Sequence, residues 1–409
     1  MNIALLLAAT LSAPTVIENV RIESGSAPIE SATVVIDQGR IVSVTPGKLA
    51  TPVPQATQVD GTGKVLTAGL IETRSQIGVA EVLLEGETVD DRMKEQALAP
   101  GFRVCDGYNP MSIRIPITRA AGITSIVVSP QGEVLSGTGC WADLTGTLAG
   151  RPDPTRPLAM FGSITSQDAK HFAGGGGSRG GIWLALRQAF DDARLHRRSA
   201  NRPSERELSL SSQHLEALYP VLDGKLPLVL TAHRASDILT ALDLAKAEKV
   251  RLVLAGASEA WLVAKQLKEA RVPVIIQPSE QLPYGFDLLN ARDDLPALLE
   301  RAGVTVILTT GIADDQNARR LRYEAGIAVA NGMSREGALR AITTTPAEVF
   351  DRGVAYGSIT AGKRADLVLW SGDPFELSTQ VERVWIEGNP MALDNRQRQL
   401  AERYLREHD

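Results

Sequence analysis

The sequence predicts an α/β protein built on a (β/α)8 TIM barrel, with a second, smaller sheet ahead of it. Two patterns carry this reading. Beyond Gly63, apolar runs of strand length alternate with amphipathic helical stretches, the rhythm of a parallel sheet or barrel. About eight strands over ~280 residues fit barrel closure. Before Gly63 the chain instead alternates apolar and polar residues in short pieces, which is the pattern of half-buried antiparallel strands.

In chain order, strands are expected at Thr15–Ile22, Ala32–Ile36 and Arg40–Val44, with Asp37-Gln38-Gly39 turning between the last two. Val65–Thr73 reads as the first barrel strand, and Ile113–Ala121 as a helix feeding a strand at Ile123–Ser129. Helices follow at Ile182–Arg194 and Glu205–Leu222. The remaining strands are Leu226–Ala232, Leu252–Ala255, Val272–Gln277 and Val304–Thr309. Between and after them, helices are expected at Ile238–Glu248, Glu259–Ala270, Leu295–Ala302, Asn317–Asn331 and Arg335–Thr343. A charged helix should end the chain from Asn395.

With 409 residues, 44% apolar and 22% charged, the chain can bury one large core and a smaller one. A net charge of −5 without a long basic run argues against nucleic acid or an anionic membrane as partner. No internal apolar run approaches ~18 residues, so no transmembrane span is expected. The start, Met1 to Pro14, is apolar and ends in small residues like a signal segment, although no Lys or Arg precedes it. Removal of residues 1–13 and a periplasmic or exported location are the corresponding expectations. Cys105 and Cys140 lack C-x-x-C spacing, hence no structural zinc signature. A disulfide in an oxidising compartment and two buried thiols both remain open.

The run Leu66-Thr67-Ala68-Gly69-Leu70-Ile71-Glu72-Thr73-Arg74-Ser75-Gln76-Ile77-Gly78 resembles the first barrel strand of the amidohydrolase superfamily, P-G-L-I-D-x-H-x-H-x-G. Gly357-Ser358-Ile359-Thr360-Ala361-Gly362-Lys363-Arg364-Ala365-Asp366-Leu367-Val368-Leu369-Trp370 resembles its C-terminal G-x-I-x-x-G-K-x-A-D-L-V-x-W motif. Asn109-Pro110, Ala121 to Thr124, Arg234 to Ile238, Arg322 to Gly326 and Thr344 to Ala347 are similar to the exported, imidazolonepropionase-like subgroup. The resemblance spans nearly the whole chain beyond the leader. It implies that 14–64 and 353–390 form one composite β-sandwich beside a barrel at 65–352, with 391–409 a helical tail.

The resemblance also implies zinc at the C-terminal mouth of the barrel, held by paired histidines, a carboxylated lysine, two further histidines and an aspartate. Here Arg74 and Gln76 stand at the paired positions, and a guanidinium has no lone pair to offer a cation. Thr231 stands where H-A-H strands carry their first histidine, leaving His233 as its neighbour, and Gly256 takes the sixth-strand position. Thr310-Gly311 or Ala313 takes the aspartate's, with Asp314 and Asp315 displaced beyond it, where they could cap the next helix. No lysine fits the fourth strand; Lys170 and His171 precede a glycine-rich loop, Gly174 to Gly181, readable as a substrate lid or a plain connector. Ser75, Ser136, Ser178 and Ser258 would be nucleophiles only with a base in reach. No metal ligand is therefore assigned. His233 and Asp314 are the catalytic candidates, and Arg74, Gln76, Thr231, Glu259, Gly256 and Thr310 the pocket candidates. Glu72, Glu259, Asp314 and Asp315 are the acids that could neutralise Arg74. Two functions follow: a hydrolase of C–N bonds in a cyclic amide or peptide-like substrate, or a non-catalytic binding protein on the same scaffold. A small-molecule ligand and a homo-oligomer stay open under both.

Overall fold

The structure, a computed structural model, describes residues 13–405 apart from 95, 173, 175, 200–206 and 312–314. The apolar leader expected to act as a signal segment lies almost wholly outside the described residues. Among the described residues there are two eight-stranded sheets.

The first sheet draws on both chain ends. β1 (Thr15–Ile22), β2 (Ile29–Asp37), β3 (Arg40–Pro46) and β4 (Thr57–Asp60) come from the N-terminal side. They share the sheet with β5 (Val65–Ala68), β14 (Leu367–Trp370), β15 (Val381–Ile386) and β16 (Asn389–Met391). The order is β16-β15-β14-β5-β1-β2-β3, with β4 also on β1. The turn at Gln38-Gly39 has positive φ at both residues, 47° and 78°, as a tight hairpin requires. Ile17, Val20, Val34, Ile36, Leu66, Leu367, Leu369 and Trp385 pack one apolar face.

The stretch expected as a single strand over Val65–Thr73 is two strands in two sheets. β5 pairs with β1 and β14, and β6 (Leu70–Ser75) starts the barrel sheet. Gly69 makes the switch. A Cβ there would sit 2.1 Å from the Thr124 hydroxyl, so the two chains approach only because position 69 has no side chain.

The barrel sheet runs β6, β7 (Ile123–Val128), β8 (Gly137–Asp143), β9 (Ala159–Ser163), β10 (Leu228–Ala232), β11 (Leu252–Gly256), β12 (Val274–Ile276), β13 (Val306–Leu308). Val127, Phe161, Val229, Val253, Ile275 and Ile307 fill its interior, as strand alternation dictates. The barrel is not all-parallel: β8 runs antiparallel to both β7 and β9. Only residues 129–136 connect β7 to β8, too few for the crossover that a parallel neighbour needs.

The expected long helix at Glu205–Leu222 is instead α4 (Ser212–Ala217) and α5 (Tyr219–Leu222), with Pro220 starting the second piece; residues 205 and 206 lie outside the described residues. Upstream, α3 (Arg179–Arg198) packs Ile182, Leu186, Ala189 and Phe190 into the core. Of the two states open to the cysteines, the disulfide is present: Cys105 is bonded to Cys140, with Cα atoms 6.2 Å apart. It fastens the long segment after β6 to β8. The Arg322 motif is structural. Its guanidinium donates to the carbonyls of Pro374, Glu376 and Thr379 and stacks on Tyr323, tying α9 (Leu321–Ala330) to the C-terminal strands. Among the described residues, no helix is long and apolar enough to cross a membrane.

The cystine closes a loop of sequence separation 35, for which chain entropy gives a stabilisation of about 3–4 kcal/mol. A Cys105→Ser, Cys140→Ser variant should lose that much in urea unfolding. A loss below about 1 kcal/mol would show that the segment is held without the bond.

Candidate binding site at the barrel mouth

Glu72 sits fully buried on β6. One carboxylate oxygen accepts the Arg74 backbone N–H at 3.0 Å and the Thr309 hydroxyl. The other accepts the Thr310 N–H at 3.0 Å and its hydroxyl at 2.7 Å. The first and last barrel strands are joined through this one side chain. Burial pushes its pKa up, and the hydrogen bonds from Thr309, Thr310 and Arg74 oppose the shift.

Arg74 leaves the same strand end toward a cavity of about 640 Å³. Its Nη1 donates to the Thr231 hydroxyl of β10 at 3.0 Å, and its buried Nε has no partner. Burial pulls its pKa down to about 10, against the raising effect of Glu72. Among the described residues no carboxylate lies at ion-pair distance from the guanidinium. Thr231, Phe161, Ser163, Glu133, Asp168 and His171 line the cavity with it.

The other expected pocket residues fall elsewhere. Gln76 is 1% exposed with its Nε2 unpartnered, but it does not line the cavity. Thr310 is spent on Glu72. Glu259, expected among the acids for Arg74, accepts the Ala235 N–H and the Asn290 amide, both at 2.8 Å, so it caps α6 (Ala235–Glu248) instead. Asp314 lies outside the described residues, as does the side chain of Asp315. Among the described residues of that set, Glu72 is the acid close enough to influence Arg74.

The glycines at the mouth are occupied by their neighbours. A Cβ on Gly256 would lie 2.4 Å from the His233 ring, and one on Gly311 would lie 1.8 Å from Gln277 Oε1. Both positions also have positive φ, 76° and 82°. The His233 imidazole therefore fills the space above Gly256, and the Gln277 amide the space above Gly311. His233 Nδ1 lies 3.0 Å from Ser258 Oγ, while Asp237, one helical turn further on, pairs with Arg179 at 3.0 Å. Ser258 is fully buried and does not line the cavity, so this pair joins strand ends and presents no nucleophile. Among the described residues, neither Ser75, which accepts the Ile77 N–H, nor Ser136, which donates to the Glu133 carbonyl, is hydrogen-bonded to a base. Ser178 caps α3. Among the described residues, no group of three or more His, Cys, Asp or Glu side chains converges as a metal-binding set.

Sequence reasoning missed the cavity's acidic wall. Asp168 is signalled only by the capping box Thr165-Ser166-Gln167-Asp168 at α2 (Ser166–His171), which reads as a helix start and nothing more. Glu133 lies in the short β7–β8 connection and carries no motif.

Residues 211–391 match the amidohydrolase family. The chain is 26% identical to an amidohydrolase from Thermotoga maritima MSB8, with a TM-score of 0.82 over 92% of this chain and 99% of that one. It resembles in fold an adenosine deaminase from Xanthomonas campestris solved with bound zinc, at 18% identity and a TM-score of 0.55, covering 97% and 98% of the two chains. Among curated proteins it is 25% identical to amidohydrolase tasK of Hapsidospora irregularis across 87% of this chain. The chain spans only 39% of that relative's length.

Two outcomes follow from this geometry. Glu72→Ala leaves the Thr309 and Thr310 groups unpaired in the seam and should cost at least about 3 kcal/mol by denaturant unfolding; a loss under about 1 kcal/mol would contradict the seam. Burial also holds the His233 pKa below its ordinary value. The unfolded chain then binds the proton first as pH falls below about 6.5, so His233 lowers stability in acid. Between pH 7 and 5.5 the melting temperature of the wild type should fall more than that of His233→Gln, and parallel pH profiles would contradict this. Motif, sequence match and barrel agree: residues 211–391 match the amidohydrolase family, and the whole fold is similar to that of the Thermotoga maritima amidohydrolase.

Proposed function

We propose that the barrel mouth binds an oxyanion-bearing small molecule at Arg74, in place of the binuclear metal centre expected of the family. The observation that carries this is the Arg74 guanidinium itself. It lines a ligand-sized cavity, keeps Nε unpartnered, and has no carboxylate at ion-pair distance among the described residues. A cation held this way favours a carboxylate or phosphate that can take two N–H groups at once.

The donor set does not fit two zinc ions. Arginine offers no lone pair, glycine at 256 offers no side chain, and threonine at 231 is already the acceptor for Arg74. His233 is turned onto Gly256, with one ring nitrogen committed to Ser258. Hydrolysis of a C–N bond is the second reading, and the similarity to proteins named amidohydrolases favours it. We place the protein outside the cytoplasm. The Cys105–Cys140 bond supports this, since such bonds persist in oxidising compartments.

Calorimetric titration with small carboxylates should give saturable binding that Arg74→Met abolishes while the fold survives. Unchanged affinity in Arg74→Met would overturn the reading. An Arg74→His, Gln76→His variant should still fail to hold two zinc ions by elemental analysis, because positions 256 and 311 remain without ligands. Two zinc ions per chain in that variant would show the remaining donors to be sufficient.

A further inference from the structure

We infer that the ligand at Arg74 is zwitterionic, carrying an oxyanion at one end and a protonated amine at the other. This rests on the reading of Arg74 as the anion site and adds the chemistry of the opposite wall. Asp168 is 8% exposed and lines the cavity. Its Oδ2 takes hydrogen bonds from Ser163 Oγ, Thr165 N and Thr165 Oγ1, each 2.6 Å. Those bonds fix the carboxylate, and Oδ1 makes no hydrogen bond among the described residues.

Glu133 lines the same wall, half-buried, with no hydrogen bond or ion pair to its carboxylate among the described residues. Burial and the neighbouring Asp168 push its pKa up, and His171 pulls it down. Two carboxylates are thus crowded at one side of a cavity where a cation between them would relieve both the repulsion and the desolvation. Of the cations on this side, Arg92 is paired with Asp91 at 2.8 Å, Lys94 and His171 are exposed, and among the described residues none of them forms an ion pair with Asp168 or Glu133.

The two poles are linked through neighbouring strands. Arg74 contacts Thr231, Thr231 is in register with Ser163 across β10 and β9, and Ser163 holds Asp168. Adjacent strands lie about 4.8 Å apart, so the guanidinium and the carboxylate are separated by on the order of 10 Å or less. A short amino acid fits that span with a hydrogen bond at each end.

The test is calorimetry on the full chain with glycine, β-alanine, 4-aminobutyrate and 6-aminohexanoate. Each is compared with the carboxylate lacking the amine: acetate, propionate, butyrate and hexanoate. At least one amino acid should bind about tenfold or more tighter than its match, the size of a charge-assisted hydrogen bond. Glu133→Gln should shrink that ratio while leaving the matched carboxylate within about twofold. Asp168→Asn should do the same; because Asp168 also caps α2, Glu133→Gln decides if that variant fails to fold. Ratios near one for every pair, with carboxylate binding still dependent on Arg74, would overturn the zwitterion inference and keep the anion site. No Arg74-dependent binding of any of these compounds would overturn both.

Discussion

Closure of the barrel and direction of its key cation both depend on the buried carboxylate of Glu72. It reaches from the first barrel strand to Thr309 and Thr310 beyond the last, and turns back to the backbone N–H of Arg74. A carboxylate buried this deeply is tolerable only with its lone pairs filled, and here all of the donors come from the seam it bridges. The same bonds fix the backbone two residues on, from which the guanidinium enters the cavity. A free-standing arginine would spread over many rotamers; this one is aimed by its strand and held by Thr231.

The mouth is packed by side chains from neighbouring strand ends. Where Gly256 lacks a side chain, His233 from the adjacent strand lies over it; where Gly311 lacks one, Gln277 does. Each filled space keeps packing dense, since an unfilled hole would forfeit contacts on every side. A histidine at position 256 would collide with the His233 ring. On the account proposed here, conversion between anion pocket and metal centre requires several coordinated changes, not one.

Much of the scaffold was legible because its signals are local. The Gln38-Gly39 hairpin, the Gly69–Gly78 run and the Gly362–Trp370 motif each encode a turn or a buried strand in consecutive residues. β8 and β9 were not legible, since Gly137, Gly139 and Gly162 dilute the apolar pattern that marks a strand. The split between β5 and β6 was also hidden: Gly69 interrupts no apolar run, and only contact with Thr124 shows why it is there. At the site, Arg74 and Thr231, both read from strand ends, share a hydrogen bond. Glu259 was misplaced because strand order alone cannot reveal that Ala235 and Asn290 claim its oxygens. Asp168 and Glu133 enter the cavity through loop geometry, which leaves no periodic trace in sequence.

The central claim is that a fixed guanidinium occupies the place of a metal pair. Elemental analysis of gently purified, unmodified protein tests it most directly. The account predicts far less than one zinc, manganese or iron ion per chain, even after incubation with excess metal and desalting. Two tightly held ions per chain would contradict it.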